Sequence, residues 1–492
     1  MLKIIDKIRE CGIIVYRIAK IKSDYITLKG YDIMENELLY KNELAYDKMT
    51  DKEKDDCETL SRDYRKFLDC GKTERECVKE AVRLAEENGY VPFDKKDDLK
   101  PGDKVYFINR EKNVMLCKIG SEPLENGINL VGAHIDSPRL DLKQNPLYET
   151  SDIAMLKTHY YGGIKKYQWT AVPLALHGVI YDKNGEKKEI KIGEDDDDTV
   201  FCVSDILPHL AKDQMGKKLS EAIDGEALNI IFGGYPLGEE KRFKQNVLKM
   251  LFDKYGIDEK SFQYAEIEAV PAFKAKNVGL DGAFIGAYGQ DDRVCAYTAL
   301  KAILDSREVK KTAVCLLVDK EEIGSCGNTG MLSDFFRFSL ARLAKKLNGE
   351  CDYLTLSEIV ANSQCLSSDV GAAVDPNYES VSEPQNSSYA GHGMVLMKYT
   401  GARGKSGSSD ASAEFVYKIG KILDDNGVVW QTGELGKVDG GGGGTIAQYV
   451  ANLNMDVIDC GVPVISMHSP FEITAKTDVY MAYRSYAAFY AD

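Results

Sequence analysis

Hydrophobic positions in this chain fall into short continuous runs separated by stretches of helical spacing. Residues 313–318 form an apolar run bounded by charge on both sides, the pattern of a strand buried on both faces. The runs at 128–133, 266–271, 284–287, 365–368, 394–399, 428–431 and 457–467 also predict strands, with another at 104–108 after the Pro101-Gly102-Asp103 turn. Between them the period lengthens. A capping box at Thr73 and Glu76 precedes Val78, Val82 and Leu84 at helical intervals. Val294, Tyr297, Leu300 and Leu304 share one helical face, and Ser408-Ser409-Asp410 caps a helix carrying Phe415, Val416, Ile419 and Leu423. Strands alternating with helices predict an α/β architecture. Residues 139–265 break the alternation. Gly162-Gly163, the turn at 182–185, the acidic run at 194–198 and the short runs at 171–180, 200–206 and 228–232 predict hairpins. The chain therefore divides into an N-terminal extension (1–33), an α/β domain in two parts (34–138 and 266–492) and a β-rich insertion (139–265).

Composition adds limits. The 492 residues are 44% hydrophobic and 29% charged, the balance of a globular chain with sizeable cores. A net charge of −15 argues against nucleic acid as the main partner, which needs a basic footprint. No apolar run approaches the roughly 18 residues of a membrane span. The twelve cysteines include no CxxC pair, and Cys117, Cys202, Cys295, Cys315 and Cys460 sit inside apolar runs. That usage predicts reduced thiols and a cytoplasmic protein without disulfides. Residues 1–33 carry an apolar part too short for a secretory signal. They read either as an extension ahead of a natural start at Met34 or as an amphipathic N-terminal helix.

The candidate chemistry gathers where strands end. The run 313–318 is followed by Asp319, Lys320, Glu321 and Glu322, then a turn at Gly324. Open α/β sheets bind ligands at the carboxyl ends of their strands. Two adjacent acids there can divide the work, one holding a metal and the other moving a proton; a solvated acidic loop has the same letters. The run 128–133 leads into His134-Ile135-Asp136, where the Asp can fix the ring tautomer of a metal-bound His. The alternative is a buried His satisfied by a neighbouring carboxylate. Asp369 follows 365–368 and His468 follows 457–467. Asp291 and Asp292 stand at a strand-to-helix junction, where Asp292 also suits a plain N-cap. His159 and His177 have no partner nearby in sequence, whereas His209, in Pro208-His209-Leu210-Ala211, stays a candidate contact to metal, substrate or another subunit. The acidic run at 195–198 lacks the spacing of a calcium loop and predicts a solvated hairpin tip. The glycines at 440–444 lack the Lys of a P-loop and predict close approach of backbone to a bound substrate. Nitrogen and carboxylate donors converging on one sheet edge suit two zinc-like ions bridged by a carboxylate and a water, a hydrolytic device.

Six motifs follow one another in order: HIDSP, YGQDDRVCAYTAL, VDKEEIGS, SSDVGAAVDPNY, GGGGT and MHSP. Together, and over the chain from about Met34 to its end, they resemble the aspartyl aminopeptidase and vacuolar aminopeptidase I family of dinuclear zinc peptidases, in its bacterial branch. The resemblance implies a zinc-aminopeptidase-like catalytic domain, with a central mixed sheet flanked by helices and interrupted by a β-rich dimerisation domain. It implies that His134, Asp291, Glu322, Asp369 and His468 hold two divalent ions, Zn2+ first and Co2+ or Mn2+ as alternatives. Asp291 would bridge the ions and precede a cis peptide bond, Glu321 would be the general base, and Asp136 would orient His134. The implied activity is release of an acidic or neutral N-terminal residue from peptides, by a homo-oligomer of twelve subunits. One departure stands out. Eukaryotic members carry a further His after the PHLA segment, where this chain has Asp213, which leaves His209 as that segment's histidine and the acidic preference open. A dinuclear amidohydrolase acting on N-acyl amino acids could use the same donors, while the intact Glu321 and ligand set argue against a scaffold that merely kept the fold.

Overall fold

The computed structural model describes residues 39–195 and 197–492, of which Glu43–Asp492 is one compact unit. The segment 1–33 and the start expected at Met34 lie outside the described residues.

A nine-stranded mixed sheet forms the centre of this unit. Thr312–Val318 runs antiparallel to Asn113–Lys118 on one side and parallel to Ile128–His134 on the other, with Val318 opposite His134. Gln364–Ser368 continues the parallel set beyond Ile128–His134, and Asp456–Gly461 follows it. Alternate residues of Thr312–Val318 enter different cores. Ala313, Cys315 and Leu317 pack with residues of the helices Gln290–Asp305 and Lys476–Ala491, while Val314, Leu316 and Val318 pack with Phe336, Leu340 and Leu343 of Phe335–Asn348. Burial on both faces is why this strand reads as an unbroken apolar run.

The β-rich segment forms a separate seven-stranded antiparallel sheet. Its own core is built around Trp169, Leu156, Leu176 and Val270. It includes Ala265–Pro271, which pairs with both Arg139–Thr150 and Leu174–Tyr181. Two expected strands are shorter than their apolar runs. One begins at Leu174, directly after Pro173, which has no N–H for a ladder; the other shrinks to Cys202–Val203 and leaves Val200, Ile206 and Leu207 exposed.

A five-stranded sheet completes the frame, in the order Lys276–Val278, Phe284–Ala287, Glu472–Ala475, Pro463–Ile465, Gly371–Ala372. It corrects one expectation. The run 457–467 is not a single strand: Asp456–Gly461 belongs to the central sheet and Pro463–Ile465 to this smaller one. Pro463 cannot continue a central ladder, so the chain changes sheets there. The described cysteines are free thiols, and no helix among the described residues is long and apolar enough to cross a membrane.

Candidate metal centre

Three parallel strands of the central sheet end on one edge, and each delivers a donor. His134 closes Ile128–His134, and Asp369 follows Gln364–Ser368. Glu321 and Glu322 follow Thr312–Val318 in a short turn entered through Lys320 at φ 67°. The small sheet brings the rest. Phe284–Ala287 leads to Asp291, and the turn between Pro463–Ile465 and Glu472–Ala475 carries His468, so His468 comes from a hairpin and not from the end of a central strand. The Asp291–Asp292 peptide bond is cis.

Asp291 sits between the two histidines. Its Oδ1 lies 3.2 Å from His134 Nε2 and its Oδ2 lies 3.2 Å from His468 Nε2. Glu322 Oε1 is 3.6 Å from His468 Nε2. Asp369 Oδ1 and Glu321 Oε2 are 3.8 and 3.9 Å from His134 Nε2. Donor atoms of His134, Asp291 and Glu322 make one metal-compatible group, and those of His134, Asp292 and Asp369 a second. Asp292 is therefore no plain N-cap: it is fully buried, and its Oδ2 accepts a hydrogen bond from the His134 amide at 3.3 Å.

The donors fit a zinc-like cation. Glu322 Oε1 and Asp292 Oδ1 are buried without a hydrogen-bond partner. A carboxylate oxygen in that condition is costly unless a cation meets it or the group takes up a proton, and here imidazole donors stand beside it to share a cation. Imidazole and carboxylate donors are also what zinc, cobalt and manganese share.

Asp136 holds the edge together. Its Oδ1 accepts from the Glu321 amide at 3.1 Å, and its Oδ2 accepts from the Glu322 amide at 3.2 Å and from the Tyr161 hydroxyl at 2.8 Å. His134 Nδ1 lies 3.0 Å from the Asp136 backbone oxygen and 3.2 Å from its Oδ1. Burial opposes the charge on Asp136, but the His134 ring and the Tyr161 hydroxyl hold its carboxyl below the usual range. Burial, reinforced by Asp136 and Asp291 and opposed by His134, pushes the Glu321 carboxyl up to about 7. Glu472 plays a parallel role on the small sheet. Its Oε1 accepts from the His468 amide at 2.7 Å and its Oε2 from the Asp291 amide at 3.0 Å. Sequence reasoning missed Glu472 and Tyr161. A lone acid in the apolar neighbourhood of 463–475 was the available signal for Glu472; Tyr161 has none.

His209 and Asp213 are exposed on the short helical turns Pro208–Leu210 and Lys212–Met215 and are not among the residues that converge here. His177 is buried against Glu76, with Nδ1 2.8 Å from Oε1. A cavity of about 1160 Å³ opens over the cluster, lined by Glu321, Glu322, Asp369 and His468 and by Tyr378, Tyr399, Gln448 and the glycines from Gly441 to Gly444. The glycine run makes its closest approach to other backbone: a Cβ on Gly441 would stand 1.8 Å from the Leu435 carbonyl oxygen.

A sheet edge with this donor set, opening into a cavity of this size, defines a metal-dependent hydrolase. The model of the M18 family, described as aminopeptidase I zinc metalloprotease, matches residues 67–490, and the chain belongs to that family of zinc-dependent aminopeptidases. A protein of Clostridium acetobutylicum named probable M18 family aminopeptidase 1 is 52% identical over 463 residues, which cover 93% of this chain and 99% of that one. The crystal structure of an M18 aminopeptidase from Thermotoga maritima superposes with a TM-score of 0.89 at 44% identity, covering 92% of this chain and 99% of that one. The structure of the S. cerevisiae mApe1 dodecamer shares the fold, with a TM-score of 0.70 at 20% identity over 87% of this chain and 96% of that one.

Proposed function

We propose that the protein releases acidic or neutral N-terminal residues from peptides with two metal ions, and that Glu321 is its general base. The observation that carries this reading is Asp291, one carboxylate with an oxygen toward each of two histidine rings. On this reading His134, Asp291 and Asp369 would hold one ion, and Asp291, Glu322 and His468 would hold the other. Ions bound there supply Lewis-acid polarisation of the scissile carbonyl and make a water acidic enough to deprotonate near neutral pH. Glu321 takes the water's proton and returns it to the leaving amine, a role worth about 10²–10⁴ in rate. Asp136 keeps His134 in one tautomer and, by accepting both amides of the Glu321-Glu322 pair, holds base and ligand in fixed relation.

The protein acts in the cytoplasm as a homo-oligomer, a dodecamer like the one described for the yeast relative. The free thiols support the location. Assembly is supported by exposed Leu210, Met215, Leu219, Tyr235 and Met250 in the inserted segment, which also presents His209 and Asp213 for contact with a neighbouring subunit. The test pairs aminoacyl-nitroanilides with N-acyl amino acids, after chelation and after return of zinc, cobalt or manganese. Cleavage of the aminoacyl substrates by the metal-restored enzyme alone is expected. Preference for the N-acyl compounds would overturn the reading.

A further inference from the structure

The inserted sheet reaches the metal centre through three consecutive residues. Ile153–Tyr161 ends at Tyr161, which pairs across the sheet with Arg139. The Arg139 guanidinium lies 3.8 Å from the centroid of the Tyr161 ring and is itself tied to Asp141 and Glu268. The clamped ring aims its hydroxyl at Asp136 Oδ2, on the carboxylate that faces His134 Nδ1. Gly162 follows at φ 73° and packs against a ligand: a Cβ there would stand 3.1 Å from Glu322 Oε2. Gly163 then offers its carbonyl oxygen to His468 Nδ1 at 2.7 Å. Each histidine is thus held by the ring nitrogen that faces away from Asp291, His134 by the main-chain oxygen and the carboxylate of Asp136 and His468 by the main-chain oxygen of Gly163.

We propose that Tyr161-Gly162-Gly163 is a clasp through which the inserted sheet orients His134, Glu322 and His468 for metal, and that Tyr161 is a positioning residue. This rests on reading those three side chains as ligands. Partners of the outer ring nitrogen are worth about 10–100-fold in metal affinity. Tyr161 acts at one remove, through the Asp136 carboxylate.

The test is chelator competition for zinc on the wild-type protein, Tyr161→Phe and Gly162→Ala, with visible spectra of the cobalt-loaded forms. Tyr161→Phe removes the hydroxyl and keeps the ring on Arg139. It is expected to bind one metal equivalent about 10-fold more weakly, to shift the cobalt absorption band, and to lose kcat with KM held within about twofold. The melting temperature of the metal-free form should not change. Gly162→Ala should weaken the equivalent that Glu322 holds; if that variant does not fold, Tyr161→Phe decides alone. Wild-type metal affinity and an unshifted cobalt spectrum in Tyr161→Phe would overturn the clasp and leave the metal site standing. A lower metal-free melting temperature with full metal affinity would make Tyr161 a packing residue and also overturn it. A wild-type protein that takes up no metal would overturn clasp and site together.

Discussion

Glu321 and Glu322 are neighbours in sequence with different surroundings. Both amides donate to Asp136, yet Glu322 turns toward His468 and Gly162, while Glu321 stands 3.9 Å from His134 Nε2. On the proposed reading this difference separates base from ligand. Glu321→Gln is expected to keep close to its full metal content and lose on the order of 10³ or more in turnover. Glu322→Gln should lose metal and recover part of its activity in excess zinc or cobalt. Metal analysis by mass spectrometry beside turnover decides it, and a fully active Glu321→Gln would reverse the assignment. A second residue reports on stability. Asp459 is buried, accepts from Thr445 Oγ1 at 2.6 Å and from Ser367 Oγ at 3.1 Å, and has no partner at Oδ2. Burial pushes its carboxyl up to about 6. The unfolded chain ionises this group near pH 4, earlier than the folded one, so its cost is absent at lower pH, grows as pH rises through that window and is complete above about pH 6. Asp459→Asn should therefore gain melting temperature relative to wild type at pH 8 and not at pH 4. An equal effect at both values would show that Asp459 folds as an ordinary carboxylate.

At the scale of elements, legibility followed the environment of each strand. Thr312–Val318, Ile128–His134 and Gln364–Ser368 are buried on both faces, so their apolar runs show them, and the donors at their ends show with them. The hairpin that carries His468 was hidden because Pro463 moves the chain to another sheet within one apolar run. Glu472 and Tyr161 were hidden for a different reason: the Asp291 amide that Glu472 holds and the Asp136 carboxylate that Tyr161 meets lie on other elements, and a single polar letter does not say where its hydrogen bond goes. Asp292 stayed open to reading as a cap because Asp is among the residues preferred at a helix N-cap. The glycine run was legible as a site of close approach, and the Leu435 carbonyl against Gly441 is a neighbour that its letters do not name. Since Gly441 abuts the Leu435 carbonyl, Gly441→Ala must displace a loop that lines the cavity. The expected outcome is a fall of roughly tenfold or more in kcat/KM with metal content unchanged, since 1.4 kcal/mol of displaced transition-state contact gives that factor. Unchanged kinetics would mean that the loop does not touch substrate.

For the whole molecule, the β-rich character of the segment after Arg139 was legible from its turns. Its contact with the edge that carries the candidate site was not, because the partners of Tyr161, Gly162 and Gly163 lie on both sides of the segment in sequence. Light scattering on the purified protein should report a closed assembly of twelve subunits, and a lone monomer at micromolar concentration would refute it. The strand order has one more consequence. Thr312–Val318 fills the place between Asn113–Lys118 and Ile128–His134, yet the whole inserted sheet is encoded between those two strands and the one that joins them. At about 5–20 residues per second, a ribosome leaves that gap open for roughly ten to forty seconds. During translation the nascent chain carries two apolar strands with unpaired edges, the surface that invites pairing with other chains. Newly made copies of this enzyme should therefore depend on chaperone shelter until residue 318 and then residue 368, the end of the strand that covers the other edge of Ile128–His134, emerge, a dependence that pulse-labelled synthesis with and without added chaperone would measure.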